Sequence, residues 1–147
     1  DSHKGVVTTE PLDVLEQRDL RPYVALAGPG TPDTWVMMGH LDVPGLTEPN
    51  LPASLSPAAH RYLRQTIGFK GLIVSDELGG MKAVRSRYSV GAAAVLAMSA
   101  GTDLLLFGDT ADIAVASRAL IDAVGSGSLP LERLRDAAGR VQEAKGC

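Results

Sequence analysis

Three short apolar runs punctuate the chain: Trp35-Val36-Met37-Met38-Gly39, Gly71-Leu72-Ile73-Val74-Ser75 and Asp103-Leu104-Leu105-Leu106-Phe107. Each is near-continuous rather than alternating, which predicts strands buried on both faces of a parallel sheet. Helical patterns fill the intervals. The first runs from about Pro57 to Ile67, with Ser56 as N-cap, Pro57 at the first helical position and Gly68 as left-handed terminator. The second covers about Val90 to Ala100, is Ala-rich, and stops at Gly101. The third starts after Thr110 and sets Ile113, Leu120, Ile121 and Val124 at helical spacing. A fourth, Leu131 to Lys145, begins after Pro130 and carries Leu134, Ala138 and Val141 on one stripe. Residues 1–34 read as a loop plus a short helix near Pro22–Ala27, followed by a Gly28-Pro29-Gly30 turn. Strand, helix, strand, helix, strand, helix, helix predicts an α/β fold with a parallel sheet and right-handed crossovers.

Composition narrows the function classes. The 147 residues hold 14 Lys+Arg against 17 Asp+Glu, a formal net charge of −3. That balance argues against nucleic acid as a partner, since phosphate neutralisation needs a basic surface. Aromatics at 4% leave little for base stacking. The one cysteine, Cys147, excludes an internal disulfide and a Cys-based metal site. No apolar run reaches the roughly 18–20 residues of a membrane helix. The chain opens at Asp1 without a Met, so an upstream leader stays open. By length alone it would be one domain.

In parallel α/β folds, ligands gather at the carboxyl ends of the strands. Those ends place His40, Asp76, Glu77 and Asp109 on one face. An acidic residue there serves equally well as a helix N-cap, so position by itself leaves Asp76 open. Gly79-Gly80-Met81, just after it, is either a close-approach loop or a plain flexible turn. Asp1-Ser2-His3 is the other candidate: residues i and i+2 of an extended segment point the same way, so the carboxylate can orient the imidazole. As a bare tripeptide it reads first as a frayed terminus. His3, His40 and His60 lack metal-ligand spacing, and His60 beside Arg61 is expected to face solvent. Met37-Met38 is expected in the core. Gly28-Pro29-Gly30 lacks the context of a dinucleotide loop.

Four stretches in order carry a resemblance: Val36-Met37-Met38-Gly39-His40; Pro52-Ala53-Ser54-Leu55-Ser56-Pro57-Ala58; Gly68-Phe69-Lys70-Gly71-Leu72-Ile73-Val74-Ser75-Asp76-Glu77-Leu78; and Ala100-Gly101-Thr102-Asp103-Leu104-Leu105-Leu106. Together they resemble the catalytic barrel of glycoside hydrolase family 3. The likeness is nearest to bacterial β-N-acetylglucosaminidases of the NagZ type, including actinobacterial lipoprotein forms, and it covers almost the whole chain. It implies the C-terminal portion of a TIM (β/α)8 barrel, about three β/α units plus a closing helix. By the same likeness Asp76 matches the family's nucleophile, with Glu77 where Asp is common. Asp1-Ser2-His3 matches the loop in which His is the general acid/base and Asp orients it. Met81 falls close to a Met of the family's following loop, and His40 matches a His after the sixth strand. Both are candidate substrate-binding residues, with a structural role for His40 equally open.

The implied activity is retaining hydrolysis of terminal β-linked GlcNAc from peptidoglycan fragments or chito-oligosaccharides, without cofactor or metal. An imidazole, with an unperturbed pKa of about 6.5, suits the acid/base step near neutral pH. A whole barrel takes about 250 residues, so the chain is expected to be a partial catalytic barrel. Its partners would be the missing N-terminal half and a GlcNAc-containing carbohydrate. Alone it is expected to be inactive. The alternatives are an inert or carbohydrate-binding remnant and a GlcNAc phosphorylase variant. The lipoprotein likeness favours the cell envelope over the cytoplasm.

Overall fold

The structure is a computed structural model describing residues 1–27 and 34–146. The Gly28-Pro29-Gly30 turn and Cys147 lie outside the described residues. Among the described residues there are five strands: β1 (Val7–Thr8), β2 (Val36–Met38), β3 (Leu41–Asp42), β4 (Ile73–Glu77) and β5 (Leu104–Leu106). The helices are α1 (Leu12–Gln17), α2 (Arg21–Leu26), α3 (Pro57–Arg61), α4 (Lys82–Arg85), α5 (Val90–Ala100), α6 (Thr110–Gly125) and α7 (Leu131–Lys145). The three strands read from apolar runs form one parallel sheet in the order β2-β4-β5, and β1 pairs in parallel with β3.

Local chemistry explains the helix ends. The Ser56 hydroxyl accepts the Ala59 N–H at 3.3 Å and Pro57 follows at the first helical position. The expected 57–67 helix is α-helical only to Arg61 and continues as a π-helical turn over Tyr62–Thr66, ended by Gly68 at φ +82°. α5 is capped by Ser89 and terminated by Gly101 at φ +129°. Asp109 caps α6, its carboxylate accepting from Ala111 N–H at 2.8 Å.

Only β4 is buried on both faces through Ile73, Val74 and Ser75. β2 and β5 are the edges, so Met37 is 53% exposed and Leu104 and Leu106 also reach solvent. This corrects the expectation that all three strands are buried and that Met37 is core. Between β4 and β5 the register shifts. There the buried Ser75 hydroxyl accepts the Leu106 N–H at 3.0 Å, standing in for the missing ladder carbonyl.

The helices pack through small residues more than large ones. α5 meets α6 with Gly91 facing Ala119, where a Cβ on Gly91 would come within 2.9 Å of the Ala119 methyl. α6 therefore buries Ala116 and Ala123; of the four residues at helical spacing, Leu120 and Val124 pack against the core, while Ile113 and Ile121 are exposed. On α7 the inward residue is Ala137, not Ala138. Close helix–helix approach selects alanines, and Ile113, Val115 and Ile121 of α6 turn outward.

Candidate active site

The carboxyl ends of β2, β4 and β5 build one cluster. Asp76 sits half-buried on β4, and one of its oxygens accepts the Glu77 N–H at 2.8 Å. Glu77 is fixed differently. One carboxylate oxygen accepts from Gly79 N–H at 2.6 Å and Gly108 N–H at 3.1 Å, and the other from Gly80 N–H at 2.6 Å. Burial by itself would raise its pKa. The amides of Gly80, Gly108, Gly79 and Met81 outweigh that and hold the carboxyl below its ordinary value. The backbone approaches closely at this clamp: a Cβ on Gly79 would strike the carboxylates of Asp112 and Glu77, and one on Gly80 would press on Glu77 at 3.1 Å. The Gly79-Gly80 segment is therefore a close-approach loop, tied across to the end of β5.

His40 supports the same strand end from below. It is 1% exposed, with Nε2 2.7 Å from the Glu77 carbonyl oxygen and Nδ1 2.6 Å from the Ser54 hydroxyl. A carbonyl can only accept, so Nε2 carries a hydrogen and Nδ1 takes the one from Ser54. This geometry makes His40 a buttress of the Asp76-Glu77 backbone. Met81 is 3% exposed and lies in the interior at the entry to α4.

The Asp1-Ser2-His3 loop arrives from the other side. His3 Nδ1 lies 3.0 Å from an Asp1 carboxylate oxygen, which also accepts the His3 backbone N–H at 3.1 Å. A carboxylate accepts only, so Nδ1 carries the hydrogen and Nε2 points away from Asp1. The pair is largely exposed and contributes little to stability. The loop is held by its backbone: the Ser2 carbonyl accepts from Ala83 N–H at 3.1 Å and the His3 carbonyl from Lys82 N–H at 3.4 Å. Lys82 and Ala83 open α4, directly after the Glu77-clamped loop. One continuous set of backbone bonds thus joins the His3 loop to the segment following Asp76.

Several sequence readings change. His60 does not face solvent: it is 2% exposed, with Nδ1 2.9 Å from the Ser56 carbonyl oxygen and Nε2 2.9 Å from the Thr102 hydroxyl. Asp109 is an N-cap. Asp42 organises the loop after β3, accepting from the Thr47 hydroxyl at 2.9 Å and Asn50 N–H at 3.1 Å. No pattern in the sequence marked Ser54 or Asp42, whose partners lie across turns and separate elements. Among the described residues no group of three or more His, Cys, Asp or Glu could hold a metal ion. No described helix is long and apolar enough to cross a membrane.

Residues 1–144 match the model of the glycosyl hydrolase family 3 N-terminal domain. The chain belongs to glycosyl hydrolase family 3. It is 40% identical over 151 residues to the β-hexosaminidase LpqI of Mycobacterium tuberculosis, covering 99% of this chain and 38% of that protein. A family 3 glycosyl hydrolase structure from Mycobacterium smegmatis superposes with a TM-score of 0.90 at 40% identity, over 98% of this chain and 45% of that one. A family 3 β-N-acetylglucosaminidase from Paenibacillus gives 0.90 at 33% identity, over 99% of this chain and 28% of the other. The family 3 fold accounts for the parallel order β2-β4-β5 with intervening helices as a portion of a TIM barrel. The chain spans less than half the length of these relatives.

Proposed function

We propose that this chain supplies the nucleophile and the general acid/base of a retaining β-N-acetylglucosaminidase acting on terminal β-linked GlcNAc. The observation that carries the proposal is the backbone connection between the two candidate groups. The Asp1-Ser2-His3 loop rests on Lys82 and Ala83 at the end of the segment that Glu77 folds beside Asp76. Names of relatives at 33–40% identity, β-hexosaminidase and β-N-acetylglucosaminidase, support the same substrate class.

Retaining hydrolysis needs a carboxylate at the anomeric carbon and an acid at the leaving oxygen. In this reading the free oxygen of Asp76 attacks, forming a glycosyl ester, while His3 Nε2–H passes its proton to the departing aglycone. Asp1 keeps the Nδ1 hydrogen in place and stabilises the imidazolium before transfer. After departure the neutral imidazole takes a proton from water, which cleaves the ester and frees Asp76. His40 and Met81 enter this reading as supports, since both are buried. A barrel completed by further strands would cover the open edges at Met37 and Leu106 and supply the rest of the sugar site.

The test uses the chain joined to an upstream family 3 half-barrel and 4-nitrophenyl β-N-acetylglucosaminide as substrate. Asp76→Ala should lower kcat/KM by at least about 1,000-fold. His3→Ala should lower it by roughly 100-fold or more for an alkyl aglycone, and by less for the activated aryl one. Full activity in Asp76→Ala overturns the nucleophile assignment, and equal losses on both aglycones overturn the role of His3.

A further inference from the structure

At the amino-terminal end of the strands, opposite Asp76, lies a cavity of about 430 Å3. Its walls are the α3 helix with its π-helical continuation, the loop before β4, the end of α5 and one face of α7. Five cationic side chains line it (Arg61, Arg64, Lys70, Arg133 and Arg140) against two carboxylates, Asp103 and Asp136. The excess is positive, in a chain whose formal net charge is −3.

The floor is rigid. Asp103 has a side chain fully shielded from solvent, 2.6 Å from Arg64, 2.7 Å from Arg133 and 3.7 Å from Arg140. It also accepts the Ile73 N–H at 3.0 Å, fixing the cluster to the start of β4. The Arg64 guanidinium is further pinned by the Phe69 and Gly71 carbonyls, with the Phe69 ring at 5.3 Å. Arg133 caps the carboxyl end of α5 by donating to the Met98 carbonyl, so the negative pole of that helix is covered. Burial, and then the neighbouring Arg140 and Arg133, lower the pKa of Arg64 against the pull of Asp103. At the rim, Arg61 and Lys70 are exposed, and among the described residues their side chains have no hydrogen-bond or ion-pair partner, while the Lys70 carbonyl accepts from Arg140 at 3.1 Å.

We infer that this cavity is an anion site for a phosphate group, free or carried on a small sugar. Guanidinium forks match phosphate oxygens, and a preset cluster of them holds a dianion at little ordering cost. Arg61 and Lys70 close on the ligand from the rim, over a floor in which Asp103 and Asp136 hold Arg64, Arg133 and Arg140 in place. The cavity volume suits a small phosphorylated molecule. The site is lined by this chain alone and lies at the opposite end from the proposed chemistry, so it does not depend on the catalytic reading.

Isothermal titration calorimetry with inorganic phosphate and, separately, glucose 6-phosphate, at constant ionic strength, tests the inference. The expected result is saturable binding with one site. Arg61→Gln/Lys70→Gln should weaken it at least about tenfold, the loss of two charge-assisted contacts. Arg118→Gln, a charge removal on exposed α6, should leave the affinity within twofold. Tighter binding of the sugar phosphate would identify a carried phosphate, and equal affinity a free one. No saturable binding of either probe overturns the site. So does binding unaltered by the double substitution, or weakened equally by Arg118→Gln.

Discussion

Glu77→Gln is the sharpest perturbation of the proposed catalytic face. The carboxylate accepts N–H groups from Gly79, Gly80 and Gly108. An amide keeps one accepting oxygen and turns an NH2 group toward a backbone N–H. Hydrogen bonds to a charged acceptor contribute about 1.5–3 kcal/mol each. Losing one, leaving an N–H unpaired and neutralising the others should cost about 2–3 kcal/mol at this half-buried position. Native-state hydrogen exchange reads the effect locally. The Gly79, Gly80 and Gly108 amides should lose about 30- to 150-fold of their protection, by the conversion of about 1.4 kcal/mol per decade. The Lys82 and Ala83 amides that carry the His3 loop should follow, while those of α7 change far less. Wild-type exchange at the three glycines in Glu77→Gln would refute the claim that this carboxylate folds the loop. The pH dependence has a definite sign. The Glu77 carboxyl is held below its ordinary value, so its contribution is complete above the unfolded value near pH 4.3 and fades as pH falls through the folded value. Acid should therefore loosen the same amides in the wild-type chain, and Glu77→Gln should remove that pH dependence.

Other expectations follow from buried polar groups. Asp103→Asn leaves three arginines around an uncharged amide and should destabilise by about 3–5 kcal/mol, read by urea denaturation. Stability within error of wild type would show that the arginines relax into solvent. His40→Ala removes both contacts of a buried imidazole and should cost about 2–4 kcal/mol, whereas an exposed substrate-contacting side chain would cost almost nothing. His60 is held below its ordinary pKa chiefly by burial. The unfolded chain therefore binds a proton near pH 6.5 before the folded one does, and stability should fall as pH drops below that value. His60→Gln should flatten this limb in thermal melts at pH 5 to 7.5, and an unchanged slope would assign it to another group.

The sequence by itself determined the order of elements and the ends of the longer helices. Ser56, Pro57, Gly68 and Gly101 act within one or two turns, and such local chemistry needs no tertiary partner. It also determined the carboxyl-end face, because apolar runs in a strand–helix alternation admit few topologies. The two-residue strands β1 and β3 and the short helices α1 and α4 escaped the pattern, being too short for a period to register. Burial escaped it as well. His60 beside Arg61 reads as a surface pair, yet Thr102, brought from beyond α5, completes its hydrogen bonds in the interior. On α6, Leu120 and Val124 pack inward, but Ile113 and Ile121 turn outward because close approach to α5 favours alanines over isoleucines. The role of Glu77 was decided only in three dimensions: a carboxylate after Asp76 is visible in one dimension, but the Gly108 amide it binds comes from the neighbouring strand end. Local codes fix elements. The pairing of charges and buried polar groups depends on which elements become neighbours, and that is settled when the sheet assembles.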